Sequence, residues 1–178
     1  MGLLIRSSAI HAAGCYTTSS IRKGARILEY TGPLLPQKEA DRLYDDKDFT
    51  YLFGVGDGKF LIDGHCMAAF LNHSCDPNCE TDEVKGRVWI FALRDIKPGE
   101  ELCYDYNLYD GIGDATCNCG AGNCRGTMYS PEEIRKRERQ QARKRQQSQK
   151  KAKQRKQRQA HSRNGAERKP AKTACAAK

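Results

Sequence analysis

The chain has 178 residues, about the length of one domain, with 31 Lys and Arg against 22 Asp and Glu for a formal net charge of +9. Residues 1–130 carry 13 basic against 18 acidic residues, net −5, and residues 131–178 carry 18 against 4, net +14, so the basicity belongs to the tail and not to the body. No stretch approaches the roughly 18 apolar residues of a membrane span, the opening Met1-Gly2-Leu3-Leu4-Ile5 is too short for an export signal, and Arg6 stands where a myristoylation motif needs Ser or Thr; an intracellular, reducing setting is expected.

Short β-type runs broken by turn residues fill the first hundred residues. Arg26-Ile27-Leu28-Glu29-Tyr30 alternates and stops at Thr31-Gly32-Pro33, and a helix is expected after Pro36 through Glu39-Ala40-Asp41-Arg42-Leu43. Tyr51-Leu52-Phe53 and Phe60-Leu61-Ile62 flank Gly56-Asp57-Gly58 and read as a hairpin. Gly56-Asp57-Gly58-Lys59 lacks the spacing of a phosphate loop and the Ser or Thr after its lysine. A short helix is expected from Met67 to Leu71, and Val88-Trp89-Ile90-Phe91-Ala92 reads as a strand ending before Lys97-Pro98-Gly99-Glu100. The pattern predicts a mostly β fold of several small sheets.

From Pro131 the chain is Arg, Lys, Gln and Ala with almost no apolar residue, which cannot offset the entropy of ordering. Ser130 as N-cap, Pro131 at the first helical position and Glu132 and Glu133 in the first turn predict a transient helix there, giving way to disorder by the end. A segment of this charge is suited to a polyanion, and contact with DNA or a nucleosome is expected of it.

Nine cysteines in a reducing setting are better read as metal ligands or buried thiols than as disulfides. Cys117-x-Cys119-x4-Cys124 sets three thiolates within eight residues, with Gly120 and Gly122 letting the backbone curl round a small ion. Zinc takes four tetrahedral ligands, so a fourth is needed from elsewhere. Cys15, Cys66, Cys79 and Cys103 lack such spacing and are expected to be small buried hydrophobes, with Cys175 a tail residue.

These cysteines follow Asn72-His73-Ser74-Cys75-Asp76-Pro77-Asn78 and Glu101-Leu102-Cys103-Tyr104-Asp105-Tyr106-Asn107. Together the three segments resemble the SET-domain protein lysine methyltransferases with a zinc-binding post-SET segment, from about Ser8 to Met128. The compact length and the Cys124-Arg125-Gly126-Thr127-Met128 ending are similar to stand-alone bacterial and viral members. The resemblance implies a SET fold of small sheets with short helices and a threaded C-terminal crossing over residues 1–110. It further implies a post-SET zinc segment over 111–130 and leaves a basic tail over 131–178. It makes Cys75 the fourth ligand beside Cys117, Cys119 and Cys124, assigns Asn72 and His73 to S-adenosylmethionine through backbone and side chain, and identifies His11-Ala12-Ala13-Gly14-Cys15-Tyr16 as the N-terminal cofactor loop. His11, Ala13, Gly14, Tyr16 and Tyr51 join the cofactor residues. Ala12 stands where the family has the first glycine of a Gly-x-Gly, and Cys66 and Ala69 stand where it often has Asn and Arg.

Tyr51, Tyr104 and Tyr106 are the catalytic residues by the same resemblance, the last two spaced to share one side of an extended segment. The chemistry requires a neutral amine, and holding a lysine of pKa about 10.4 neutral at pH 7 takes about 3.4 units, roughly 4.6 kcal/mol. A neighbouring sulfonium and an apolar channel both push that pKa down. Tyr106 is expected to orient the amine for in-line displacement, not to act as a strong base, while Tyr51 lines the channel. Tyr104, at a phenylalanine/tyrosine switch position, implies mono- or dimethylation. The expected substrate is a lysine in a basic peptide, histone tails first, handled by a monomer. The location would be nucleus or chromatin for a eukaryotic protein or a secreted effector, and cytoplasm for an endogenous bacterial one. A catalytically weak chromatin- or nucleic-acid-binding module and a non-histone substrate remain the alternatives.

Overall fold

The computed structural model describes residues 2–47, 51–56, 58–109 and 113–166, with side chains as far as 156. It separates into two compact units, Met1–Ser130 and Pro131–Lys178. Cys175, Asp57 of the expected turn and the expected disorder past residue 166 lie outside the described residues.

The first unit is built from small sheets. Strands β1 (Leu3–Ser7) and β2 (Ala13–Thr17) form a hairpin in which Leu3 pairs with Thr17 and Ser7 with Ala13. The apolar Leu3-Leu4-Ile5 is thus part of an ordered strand. Strand β3 is Arg26–Tyr30, β4 is Leu34–Pro36, and helix α1, Gln37–Tyr44, starts directly after Pro36. Strands β5 (Leu52–Val55) and β6 (Phe60–Asp63) form the expected hairpin with β6 also paired to β4, and Gly56 and Gly58 in its turn have φ of 61° and 77°, conformations open to glycine. A 3-10 turn over Met67–Phe70 leads into β7 (Asn72–His73).

Strands β8 (Cys79–Val84) and β9 (Arg87–Ala92) join through Lys85-Gly86, both at positive φ, the geometry of a tight two-residue hairpin. Strand β10, Cys103–Tyr104, completes a sheet of order β3-β9-β8-β10-β7. β10 lies parallel between β7 and β8, so the arch of residues 74–78 that joins those two strands must pass over it. The arch is fastened at both feet: the Ser74 N–H donates to the Tyr104 carbonyl at 3.1 Å, and the Asn78 side chain accepts from the Cys103 N–H at 2.9 Å while donating to the Glu101 carbonyl at 2.7 Å. This is the threaded crossing expected of the fold.

Val88, Ile90, Ile96, Leu71 and Leu102 are the large aliphatic core residues, each at most 2 % exposed and each contributing roughly 1.5–3 kcal/mol. Cys15, Cys79 and Cys103 are buried among them as expected. Cys66 departs from that expectation: it precedes the 3-10 turn, is only partly buried, and its sulfur accepts the Thr31 N–H at 3.2 Å.

The second unit is helix α2, Pro131–Ala166. It starts at the predicted residue, with Glu132 and Glu133 in the first turn and Glu133 paired to Lys136 and Arg137 at 2.8 and 2.9 Å. It runs well past the transient helix expected, because Gln, Lys, Arg and Ala are strong helix formers and no proline or glycine interrupts them between Glu132 and Asn164. No helix among the described residues is long and apolar enough to cross a membrane.

Candidate active site

Tyr104 and Tyr106 flank Asp105 at the end of β10, and the extended backbone brings their rings together, 4.9 Å between centroids. The Tyr106 hydroxyl donates to the Leu71 carbonyl at 2.9 Å, which leaves its lone pairs able to accept. Burial pushes both phenols well above the ordinary tyrosine value, with Cys103 and Tyr51 adding to the rise at Tyr106. Both are therefore neutral at physiological pH, and neither is a base in its resting state. The Tyr104 hydroxyl has no protein hydrogen-bond partner among the described residues, although its residue is only 9 % exposed. Tyr51 sits just before β5, half exposed, with its ring 6.2 Å from Phe70.

Asn72 and His73 occupy β7 against β10. The Asn72 amide donates from Nδ2 to the Ala13 carbonyl at 3.0 Å, to Ser8 Oγ at 3.2 Å and to Glu101 Oε1 at 2.7 Å, with the His11 carbonyl at 3.5 Å. Carbonyls and a carboxylate only accept, so this end of the amide is the nitrogen. Nothing among the described residues donates to its Oδ1.

The His73 imidazole is engaged at both nitrogens. Nδ1 accepts the Tyr106 N–H at 3.2 Å, so the proton is on Nε2, which points to Cys75 Sγ at 3.3 Å. Burial, only partly opposed by Asp105, lowers its pKa and keeps the ring neutral. The 3.5 Å approach of Nδ1 to Asp105 is accordingly no ion pair.

The N-terminal loop closes on this strand through a residue to which the motif reading gave no role. Glu101 accepts from Ser8 Oγ at 2.8 and 3.0 Å, from the Tyr16 hydroxyl at 2.7 Å and from Asn72. A Cβ at Gly14 would fall 2.1 Å from Glu101 Oε1, so that glycine clears space for the carboxylate. Ala12 takes a φ of 29°, the left-handed conformation a glycine would adopt freely, at a cost of roughly 1–2 kcal/mol for an L-residue. His11 contributes its carbonyl to Asn72 and exposes its side chain. Nothing in the run Glu100-Glu101-Leu102-Cys103 marks Glu101 out from the glutamate before it, because its role comes from the donors that face it.

Cys75, at the crest of the arch, meets Cys117, Cys119 and Cys124, all four sulfurs lying within 4.8 Å of one another. The Cys75–Cys117 and Cys117–Cys124 separations are 3.8 and 3.6 Å, and a tetrahedron with metal–sulfur bonds of about 2.3 Å has edges of about 3.8 Å. The donor set and its dimensions thus fit a four-coordinate zinc. Burial opposes ionisation of Cys119, but N–H groups of Cys75 and Ala121 and the neighbouring thiols outweigh it and bring the thiol down to about 6, while burial lifts Cys117 to about 12. Arg125, next to Cys124, donates its N–H to Cys75 Sγ at 3.4 Å and grips Asp105 with two bonds of 2.7 and 2.8 Å. Burial works against the Asp105 carboxylate, yet Arg125 holds its pKa below the ordinary range. The cysteine cluster and the tyrosine segment are therefore joined twice, through His73 and through the Arg125–Asp105 pair.

Comparison with known proteins agrees with this arrangement. The family model of the SET domain matches residues 12–107. Over 127 residues the chain is 39% identical to the histone-lysine N-methyltransferase, H3 lysine-36 specific, of both Mus musculus and Homo sapiens, the match taking in 65% of this chain and 5% of theirs. Over 141 residues it is 38% identical to the histone-lysine N-methyltransferase, H3 lysine-4 specific, of Saccharomyces cerevisiae, covering 71% of this chain and 13% of that one. The crystal structure of KRYPTONITE in complex with mCHG DNA and SAH is similar with a TM-score of 0.60 at 29% identity, over 71% of this chain and 29% of that chain. The chain spans a small part of the length of each relative. The stretch matched by the family model runs from Ala12 in the N-terminal loop through the arch to Tyr106 and Asn107, and the chain belongs to the SET-domain family.

Proposed function

We propose that the chain is a protein-lysine N-methyltransferase that uses S-adenosylmethionine and acts on a lysine in a basic, flexible peptide, with histone tails as the leading class. The observation that carries this reading is the pair of neutral tyrosines, Tyr104 buried and Tyr106 partly buried, standing beside the Asn72-His73 strand. The relatives named for methylation of histone H3 lysines support the substrate class, and KRYPTONITE in complex with SAH supports the cofactor. The net −5 of residues 1–130 favours capture of a basic peptide.

In this mechanism S-adenosylmethionine supplies an electrophilic methyl on a cationic sulfur. The residues that would hold it are Asn72, through its free Oδ1, His73 through its main chain because its imidazole is otherwise engaged, and the loop from His11 to Tyr16. Tyr51 and Phe70 would line the entry of the lysine, where an apolar wall lowers the amine pKa toward the neutral form. Tyr106, its proton held by Leu71, accepts from the amine and aligns its lone pair for in-line attack. Water carries the proton away. Zinc at Cys75, Cys117, Cys119 and Cys124 would clip residues 111–130 onto the domain of residues 1–110. Mass spectrometry of basic peptides and core histones incubated with the purified chain and methyl-labelled cofactor tests the reading. Methylated lysine is expected, and binding of peptide without methylation in any of them would favour a binding module instead.

Tyr104 is proposed to limit the product to mono- or dimethyllysine. Its hydroxyl, without a protein partner, can hold a water that accepts from the amine and fills the space of another methyl. Tyr104→Phe is expected to shift product toward trimethyllysine with activity retained, read by mass spectrometry on one peptide. An unchanged product distribution would leave Tyr104 a packing residue.

Helix α2 is proposed to bind DNA or nucleosomes and to favour a chromatin location, with the protein acting as a monomer. Removing residues from Pro131 onward is expected to leave methylation of free peptide unchanged, to weaken DNA binding and to flatten its dependence on salt, since fewer phosphates are neutralised. Equal DNA affinity with and without the segment, measured by fluorescence anisotropy at several salt concentrations, would remove that role.

A further inference from the structure

Glu101 bonds neither to the Tyr104 or Tyr106 hydroxyl nor to the cysteine cluster among the described residues, yet three separate elements send donors to its carboxylate: Ser8 from the end of the first hairpin strand, Tyr16 from β2 and Asn72 from β7. Its own backbone is immobilised first. Its carbonyl accepts from Asn78 at 2.7 Å, it bridges Tyr16, and the next residue, Leu102, donates to the Cys15 carbonyl at 2.7 Å. The side chain therefore projects from a fixed point into a fixed set of donors.

We propose that Glu101 is a positioning residue for the cofactor: its carboxylate locks the Asn72 amide with nitrogen inward and Oδ1 outward, and fastens the loop of residues 8–16 to β7. This rests on the methyltransferase reading above. A carboxylate has only acceptors, so it alone among side chains of this length forbids the flipped amide, in which Asn72 Oδ1 would face it at 2.7 Å. The Ala13 carbonyl at 3.0 Å opposes the flip as well, and glutamine at position 101, which can present an NH2 to the hydroxyls or to Asn72, removes the shorter, charged half of that restraint. Gly14 belongs to the same device. A methyl there would fall 2.1 Å from Glu101 Oε1 and 3.1 Å from Asn72 Nδ2, and the cheapest relief is for the flexible carboxylate to swing out.

The test is calorimetric binding of S-adenosylhomocysteine, together with KM for S-adenosylmethionine, KM for peptide and kcat at saturating cofactor, for the full chain, Glu101→Gln, Gly14→Ala and the double variant. Glu101→Gln is expected to weaken binding about ten- to hundredfold, the range for hydrogen bonds to a charged group, and to raise the cofactor KM without moving the peptide KM. Gly14→Ala is expected to reproduce the loss, and the double variant to bind no more weakly than the weaker single one, because both changes remove one carboxylate from one place. Unaltered affinity in Glu101→Gln, additive losses in the double variant, or equal losses in kcat and both KM values would each overturn the inference. If Glu101→Gln does not yield folded protein, Tyr16→Phe removes one donor and keeps the ring; a weakening of about three- to tenfold is then expected, and none would overturn the proposal. Failure of the unmodified chain to bind S-adenosylhomocysteine would instead overturn the methyltransferase reading itself.

Discussion

Tyr106→Phe is expected to lower kcat by about two to three orders of magnitude, the size of effect seen when one preorganised polar contact to a reacting group is removed. Phenylalanine keeps the ring against Tyr104 and His73, 4.9 and 5.3 Å away, so packing changes little. What goes is an oxygen that the Leu71 carbonyl has already oriented by accepting its hydrogen bond. Without it the amine rotates freely about its terminal bond, and the fraction of encounters with the lone pair in line with the carbon–sulfur bond falls. Because Asn72 and the N-terminal loop do not depend on that hydroxyl, S-adenosylhomocysteine affinity is expected to stay within about threefold. Rapid-quench turnover and calorimetry on the same preparation check both halves, and near-normal turnover would move catalysis away from Tyr106.

Cys119→Ser is expected to reduce bound zinc from about one per chain to a small fraction of that, and to abolish methylation with it. A structural zinc site contributes folding energy of about 10 kcal/mol or more, far beyond what residues 113–130 gain from packing, where Cys117 and Tyr129 are the buried hydrophobics. Loss of the ligand also releases Arg125 from its place beside Cys75, and with it the clamp on Asp105 between the two tyrosines. Metal analysis and thermal unfolding of the variant against the unmodified chain measure the effect. Metal binding requires thiolates, so zinc release on acidification is expected in the unmodified protein as well, with affinity falling as pH falls. Retention of one zinc in Cys119→Ser would remove the assignment.

The segments with period-2 apolar runs were legible in the sequence: β3 coincides with Arg26–Tyr30, and the β5–β6 hairpin and β9 lie where alternation and glycine turns put them. The helix after Pro36 was legible from a different local signal, the proline at its start followed by Glu39-Ala40-Asp41-Arg42-Leu43. The strands that build the site were not, because β7 and β10 are two residues each and owe their conformation to partners 31 positions away in sequence. β8 reads Cys-Glu-Thr-Asp-Glu-Val, a solvated edge of charge whose strand character comes from pairing with β9 and not from propensity. At the site, Asn72, the tyrosines and the cysteines carried recognisable patterns. Ser8, Glu101 and Arg125 did not, since a serine, a glutamate and an arginine acquire meaning only from the groups that face them.

The insertion of β10 between β7 and β8 bears on how the molecule is made. The hydrogen bonds of β10 and of Glu101 just before it join groups 23 to 93 positions apart, as in Asn78 to Glu101 and Ser8 to Glu101, and contacts of that separation close slowly because the chain loses loop entropy before they form. Until the strand enters, β7 and β8 present facing unpaired edges beneath an open arch, the kind of surface that recruits another chain. Refolding is therefore expected to be slow and sensitive to protein concentration. Tyr104 lies on the strand whose entry completes this sheet and Tyr106 follows two residues on, so the molecule is expected to assemble its candidate site in the same event that covers those edges.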